Sequence, residues 1–321
     1  MTDHEAQAAW RLFTLNWIPI ALMALALALC LALTGFSIKP GSLLLPFGAV
    51  ALIGCVAYGY RRVRRRDAVV PFVLNSTIQL FLISVLMTPL TYIAAAAGLP
   101  MQDTNLAYLD RMLGLDWPAY YNFIYGRPTL ILYMILGYAM IIWPMFGIPI
   151  VLGAARQYRR LQQFTLACAL TLIAATVISS LLPAIGTYYE YGIMPDISKF
   201  KPGGYLVQLR DLPLVRDGSL RVLDITELGG IITFPSFHAA AAVLFMWALW
   251  CVWWMRPLAL IANVGMLLAT PMAGGHYFVD VFAGIGVAVL AIAAARWISE
   301  RATRGAARPA LAVAEAAVPA E

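Results

Sequence analysis

Residues 16–34 read NWIPIALMALALALCLALT, a run with no charged side chain. A helix of that length rises roughly 30 Å, the thickness of a bilayer's hydrocarbon core. Runs of the same character recur at Phe72–Ala97, Leu130–Leu152 and Phe164–Leu182. In lipid, every backbone N–H and C=O must be paired within the segment, and helices do this. The expected fold is therefore all-α, a polytopic bundle of transmembrane helices.

Composition leads to the same place. Of 321 residues, 62% are hydrophobic and 12% charged, whereas a soluble domain carries about 25% charged residues. Length and hydropathy predict about eight spans, at 16–35, 42–60, 70–97, 129–152, 162–183, 235–254, 257–273 and 277–298. The first run is read as a retained span, because more spans follow it and no small-residue cleavage site does. A single membrane-embedded domain over 1–300 is expected, with a mobile cytoplasmic tail at 301–321 and no internal repeat.

Net charge is +6, but the arginines stand in short runs beside spans, at 61–66 and 156–160. That pattern marks membrane topology, not a nucleic-acid partner. These runs, Arg256 and the Arg296–Arg308 tail fall on one side of the alternating spans, which the positive-inside rule assigns to the cytoplasm. Both termini are then cytoplasmic, and the connections 98–128 and 184–234 lie outside. The first connection mixes aromatic and aliphatic residues with acids, as short interfacial helices do. The second is long, broken by Gly203-Gly204 and Gly229-Gly230, and carries Lys199, Lys201, Arg210, Arg216 and Arg221. Cys30, Cys55, Cys168 and Cys251 all lie in apolar stretches and form no CxxC pair, so they read as small hydrophobes and not as a disulfide framework.

The chain has three histidines. His4 lies in a polar leader and reads as solvated, but the other two open spans on the outer side. His238 ends Thr233-Phe234-Pro235-Ser236-Phe237-His238, where Pro235 suits a first helical turn and Thr233 or Ser236 could cap it. A helix start of this kind attracts phosphate. His276 begins His276-Tyr277-Phe278-Val279-Asp280, and on a helix residues four apart share a face. Asp280 could accept a hydrogen bond from one ring nitrogen, fixing the tautomer that frees the other. Each motif alone fits an ordinary helix start or an anchored interfacial histidine. Their common depth and the His/Asp spacing point to one catalytic site made of His238, His276 and Asp280.

Pro235-Ser236-Phe237-His238 and His276-Tyr277-Phe278-Val279-Asp280 resemble the second and third signature motifs of the type 2 phosphatidic acid phosphatase superfamily. The second of these, with Thr270 six residues before it, is most similar to the branch that includes inositol phosphorylceramide synthases. The resemblance extends over roughly 100–298 and is strongest at 233–284. The superfamily's first motif, Lys and then Arg-Pro, is missing, and Ala269-Thr270 replaces the Ser-Arg pair that usually opens the third. Two phosphate-gripping cations are thus absent, as in the transferase-like branch. The substitutes available for binding substrate are Ser236 and the loop cations, chiefly Lys199, Lys201 and Arg210.

The resemblance implies a lipid phosphotransferase that moves a phospho-head group from a lipid donor to a hydroxyl acceptor through a phosphohistidine on His276. A lipid phosphate or pyrophosphate phosphatase is the hydrolytic alternative, and a lipid transporter or flippase the alternative of another class. The partner expected is a membrane lipid substrate. No cofactor or metal is called for, since no carboxylate or cysteine cluster has ligand spacing.

Overall fold

The computed structural model describes residues 3–64 and 69–315. Chain order gives α1 (Asp3–Leu15), α2 (Trp17–Thr34), β1 (Ser37–Ile38), α3 (Leu44–Val63), α4 (Val69–Ala95), α5 (Asp103–Met112), α6 (Trp117–Tyr125), α7 (Pro128–Ala139) and α8 (Ile142–Ala154). There follow α9 (Tyr158–Leu181), α10 (Thr187–Glu190), α11 (Gly203–Asp217), β2 (Val222–Leu223), α12 (Phe237–Leu249), α13 (Arg256–Ala273) and α14 (Phe278–Glu315). The fold is an all-α membrane bundle.

Among the described residues six helical stretches are long and apolar enough to cross a bilayer: Gln7–Thr34, Pro40–Val63, Val69–Ala95, Tyr158–Leu181, Trp253–Ala273 and Phe278–Ala302. The expected span at 129–152 is instead two helices, α7 and α8, bent by 55° at their junction. Pro144 in the first turn of α8 cannot donate to the carbonyl of Met140, and its ring crowds that carbonyl, so the helix breaks there. Counted as one broken span, the pair makes seven. The segment expected at 235–254 yields only the 13 residues of α12, about 20 Å of helix. The polar leader is helical as α1, and the side chain of His4 lies outside the described residues, as do Arg65, Arg66, residues 316–321 and the side chains beyond Ala302.

α12 sits at the centre, contacted by α9, α13 and α14. Ala239, Ala240, Ala241 and Ala242 are all buried, so every side of its first turns is covered. Small side chains let helices approach where lipid supplies no hydrophobic drive between them. On the periphery, Leu22, Leu25, Leu29 and Leu33 of α2 and Leu44, Phe47 and Leu52 of α3 point outward, as a lipid-facing surface requires.

Basic residues gather at one end, where Arg159 bonds Ser299 at 3.0 Å and Arg160 lies over Trp247. α5, α6, α10 and α11 cover the opposite end. There a two-residue parallel ladder, Ser37↔Val222 and Ile38↔Leu223, fastens the end of α2 to the long connection.

Candidate active site

α12 starts two residues later than its proline suggests. Ser236 is the N-cap, its hydroxyl accepting from the Ala239 N–H at 3.4 Å, and Pro235 stands outside the helix. Thr233 is not a cap, because its hydroxyl donates to the Ala184 carbonyl at 2.8 Å. The Ser236 N–H donates to the Asp280 carbonyl at 3.0 Å, tying the start of α12 to the first turn of α14. Gly284 permits this approach, since a Cβ there would lie 2.3 Å from the Ser236 carbonyl oxygen. His238 is thereby set in the first turn of a helix locked to the one that follows His276.

His276 lies just before α14, not on it. The preceding Gly275 has φ +68°, a left-handed conformation glycine adopts freely. The His276 Nδ1 is 3.2 Å from Asp280 Oδ2, and that same oxygen accepts from the Tyr277 N–H at 2.9 Å. The pair therefore meets because Asp280 folds back to cap its own helix, rather than across two turns of one helix face. Both residues are buried. A carboxylate at Nδ1 favours the Nδ1–H tautomer, which leaves the free lone pair on Nε2.

His238 and His276 line the same cavity, of about 370 Å³. Ser84, Thr88 and Thr91 of α4, Tyr138 of α7, and Gly203 and Gly204 of α11 complete much of its wall. Tyr138 stacks on His238 with ring centroids 3.8 Å apart and planes 11° from parallel. The family model of the PAP2 superfamily matches residues 104–294, more than half of the chain, and takes in both histidines. The chain belongs to the PAP2 superfamily. It is accordingly an enzyme of phosphoester chemistry, a phosphatase or a phosphotransferase. No curated protein and no solved structure matches it.

None of the residues considered for substrate binding is among the described residues that line the cavity of this PAP2 superfamily site. Ser236 is fully buried and does not line the cavity. Lys199 is exposed, 3.7 Å from Asp196 and over the ring of Tyr125. Lys201 is exposed as well. Arg210 pairs with Asp211 at 2.9 Å, and Asp211 in turn accepts from the Tyr92 hydroxyl at 2.6 Å, so this group braces α11 against α4. Arg216 donates to the Leu99 carbonyl, and Arg221 lies over Phe36. Among the described residues no lysine or arginine lines the cavity. Among the described residues no three His, Cys, Asp or Glu side chains gather as metal ligands would.

Two carboxylates missed by motif reading hold the His276 segment. Asp110 of α5 accepts from the Phe278 and Val279 N–H groups, both at 2.8 Å, and so caps α14 from another helix. Burial holds its carboxyl above the ordinary carboxylate range, and these two N–H bonds offset only part of that rise. Asp103 accepts from the Tyr277 hydroxyl at 2.9 Å and from the Gly186 N–H at 2.7 Å. The signal was present in the sequence: Asp103, Leu106, Ala107 and Asp110 are spaced as one helical face, and acids on an apolar face need partners. Tyr138 had no such signal, because it sits in a long apolar run.

Beside the cavity lies an apolar groove of about 730 Å³ between α2, α4 and α9. Met87 lines both spaces.

Proposed function

We propose that this enzyme is a lipid phosphotransferase, similar to inositol phosphorylceramide synthases, working through a phosphohistidine on His276. The observation that carries the reading is the convergence of two imidazoles on one cavity, one of them backed by a buried carboxylate. In the first step His276 Nε2 attacks phosphorus, the bond to the leaving oxygen breaks, and His238 gives that oxygen a proton. Asp280 stabilises the positive ring that results. In the second step, neutral His238 takes the proton of an acceptor hydroxyl, whose oxygen displaces Nε2 from phosphorus and restores His276.

A lipid donor is supported by the membrane fold and by the apolar groove, which offers space for an acyl chain next to the reacting groups. Transfer rather than hydrolysis is supported by a cavity that no described lysine or arginine lines and by the hydroxyls of Ser84, Thr88 and Thr91 along one wall, suited to a hydroxylated acceptor. The positive-inside rule supports a cytoplasmic basic end and a site at the non-cytoplasmic face.

The test is to incubate the purified enzyme with head-group-labelled phospholipids, with and without polyol or ceramide acceptors, and to follow labelled lipid and free phosphate together. Acceptor-dependent formation of a new labelled lipid is the expected result. Free phosphate released at the same rate whatever acceptor is present would make the enzyme a phosphatase.

A further inference from the structure

The apolar groove between α2, α4 and α9 has a cation at one end. It runs along α2 from Leu22 to Thr34 and on to Phe36, so its helical part is about 18 Å long, close to one leaflet of a hydrocarbon core roughly 30 Å thick. Met23, Ala26, Leu90 and Ile173 form much of its wall, and Arg221 lines it as well. We propose that this groove binds a phospholipid of the leaflet at the catalytic end, with one acyl chain along α2 and the phosphate on Arg221. The proposal goes beyond the phosphohistidine reading and does not depend on it, since it concerns where a lipid is held, whichever chemistry the histidines perform.

Arg221 is set at the groove by the backbone. The Ser37 N–H donates to the Arg221 carbonyl at 2.9 Å, and the next two residues, Val222 and Leu223, pair with Ser37 and Ile38. The half-buried guanidinium then lies over the ring of Phe36, 4.4 Å from its centroid. It makes no ion pair and no hydrogen bond with a described residue. Asp217, an acid whose carboxyl feels this charge, lies beyond ion-pair range and has its Oδ1 taken by Ser219. By contrast, Lys39 on the same ladder is paired with Asp224 at 3.0 Å. A guanidinium carries five N–H donors in a fork that matches phosphate, and a basic group beside a bilayer attracts anionic lipid.

Depth and access agree with a lipid. The three helices that wall the groove end at Thr34, Ala95 and Leu181, and Thr34, Ala97 and Ser180 line it, so its Arg221 end stands where helices leave the hydrocarbon and head groups begin. Leu22 and Val177 line the groove too and are 58% and 54% exposed on the lipid-facing surface, which opens it sideways to an entering chain. Met87 is shared with the catalytic cavity, so a chain held here rests against that cavity's wall. Both α2 and α4 precede residue 104, where the family match begins, and the groove is therefore an addition by this chain to the matched region.

The test is native mass spectrometry of the full-length protein, stripped of lipid in detergent and titrated with dioleoyl phosphatidylglycerol or with dioleoylglycerol, which has the same chains and no phosphate. The wild type is expected to bind the phospholipid more tightly than the diacylglycerol. Arg221→Gln should weaken phospholipid binding about tenfold or more, the loss expected for hydrogen bonds to a charged group, and leave diacylglycerol binding as it was. Ala26→Trp, which fills the groove, should weaken both. Undiminished phospholipid binding in Arg221→Gln would overturn the head-group assignment, and undiminished binding in Ala26→Trp would overturn the groove. Should either variant melt lower than wild type, phosphatidylglycerol with a diazirine at the chain end is photo-crosslinked to the wild type instead. Label on the peptides holding Leu22 to Ala26 or Ile173 to Val177 is the expected result, and its absence from both would overturn the proposal equally. His276→Ala is expected to bind the phospholipid as the wild type does; lost binding there would put the lipid in the catalytic cavity and defeat the separate site, whereas full turnover in that variant would defeat only the phosphohistidine reading.

Discussion

At His276 the two ring nitrogens have different surroundings, one against Asp280 and one toward the cavity, and in the proposed mechanism this difference makes the ring the nucleophile. His238 is held otherwise, by the face of Tyr138. Stacking of this kind contributes about 0.5–1.5 kcal/mol to orienting the His238 ring. Tyr138→Phe, which keeps the ring, is expected to retain most activity. Tyr138→Ala should lower kcat about tenfold, and steady-state kinetics of the two variants check the pair. Both histidines and Asp280 were legible in the sequence because polar residues are costly at the ends of apolar spans and so stand out. Tyr138 was not, since an aromatic residue in a span usually packs or anchors, and only the fold shows which ring it faces.

Among the elements, α5 does the most for the site without touching the cavity. It lies on the bundle's end and sends Asp103 and Asp110 down to fix the peptide that carries His276. Asp110→Asn leaves one carbonyl oxygen for two N–H groups and sets an NH₂ against the other. The expected cost is about 1.5–3 kcal/mol, that of a buried hydrogen bond to a charged group, read as a lower melting temperature. If Asp110 positions His276, kcat falls with KM little changed; a lower melting temperature with kcat intact would leave it a purely structural cap. The long apolar runs gave the spans with good boundaries, because length and hydropathy act through the bilayer itself. Two elements departed from that reading for local reasons. Pro144 divides 129–152 into two helices, and α12 stops at Leu249, short of a full crossing. The ladder between β1 and β2 had no signal, because two paired residues leave no periodicity to read.

Across the whole molecule, the fold brings His238 and His276 to one cavity at the end away from the arginines. Orientation in the membrane follows from charge. A cysteine placed at Lys199 in a background without the native cysteines should react with a membrane-impermeant maleimide added to intact cells, and one at Arg61 only after permeabilisation. The reverse pattern would put the site in the cytoplasm. The loop cations illustrate what sequence cannot deliver: Arg210 and Arg216 were candidates by charge alone, yet their partners are Asp211 and a backbone carbonyl. Which cation faces a substrate is decided by packing between distant segments, and no local pattern encodes it. The central claim is that His276 takes the phosphoryl group while His238 serves the oxygens on either side of the transfer. Its most direct test is to quench the enzyme during turnover of a phosphorus-labelled lipid and map the acid-labile label by peptide mass spectrometry. Label on the peptide containing His276, absent in His276→Ala, is the expected result; label elsewhere, or turnover undiminished in that variant, would contradict the account.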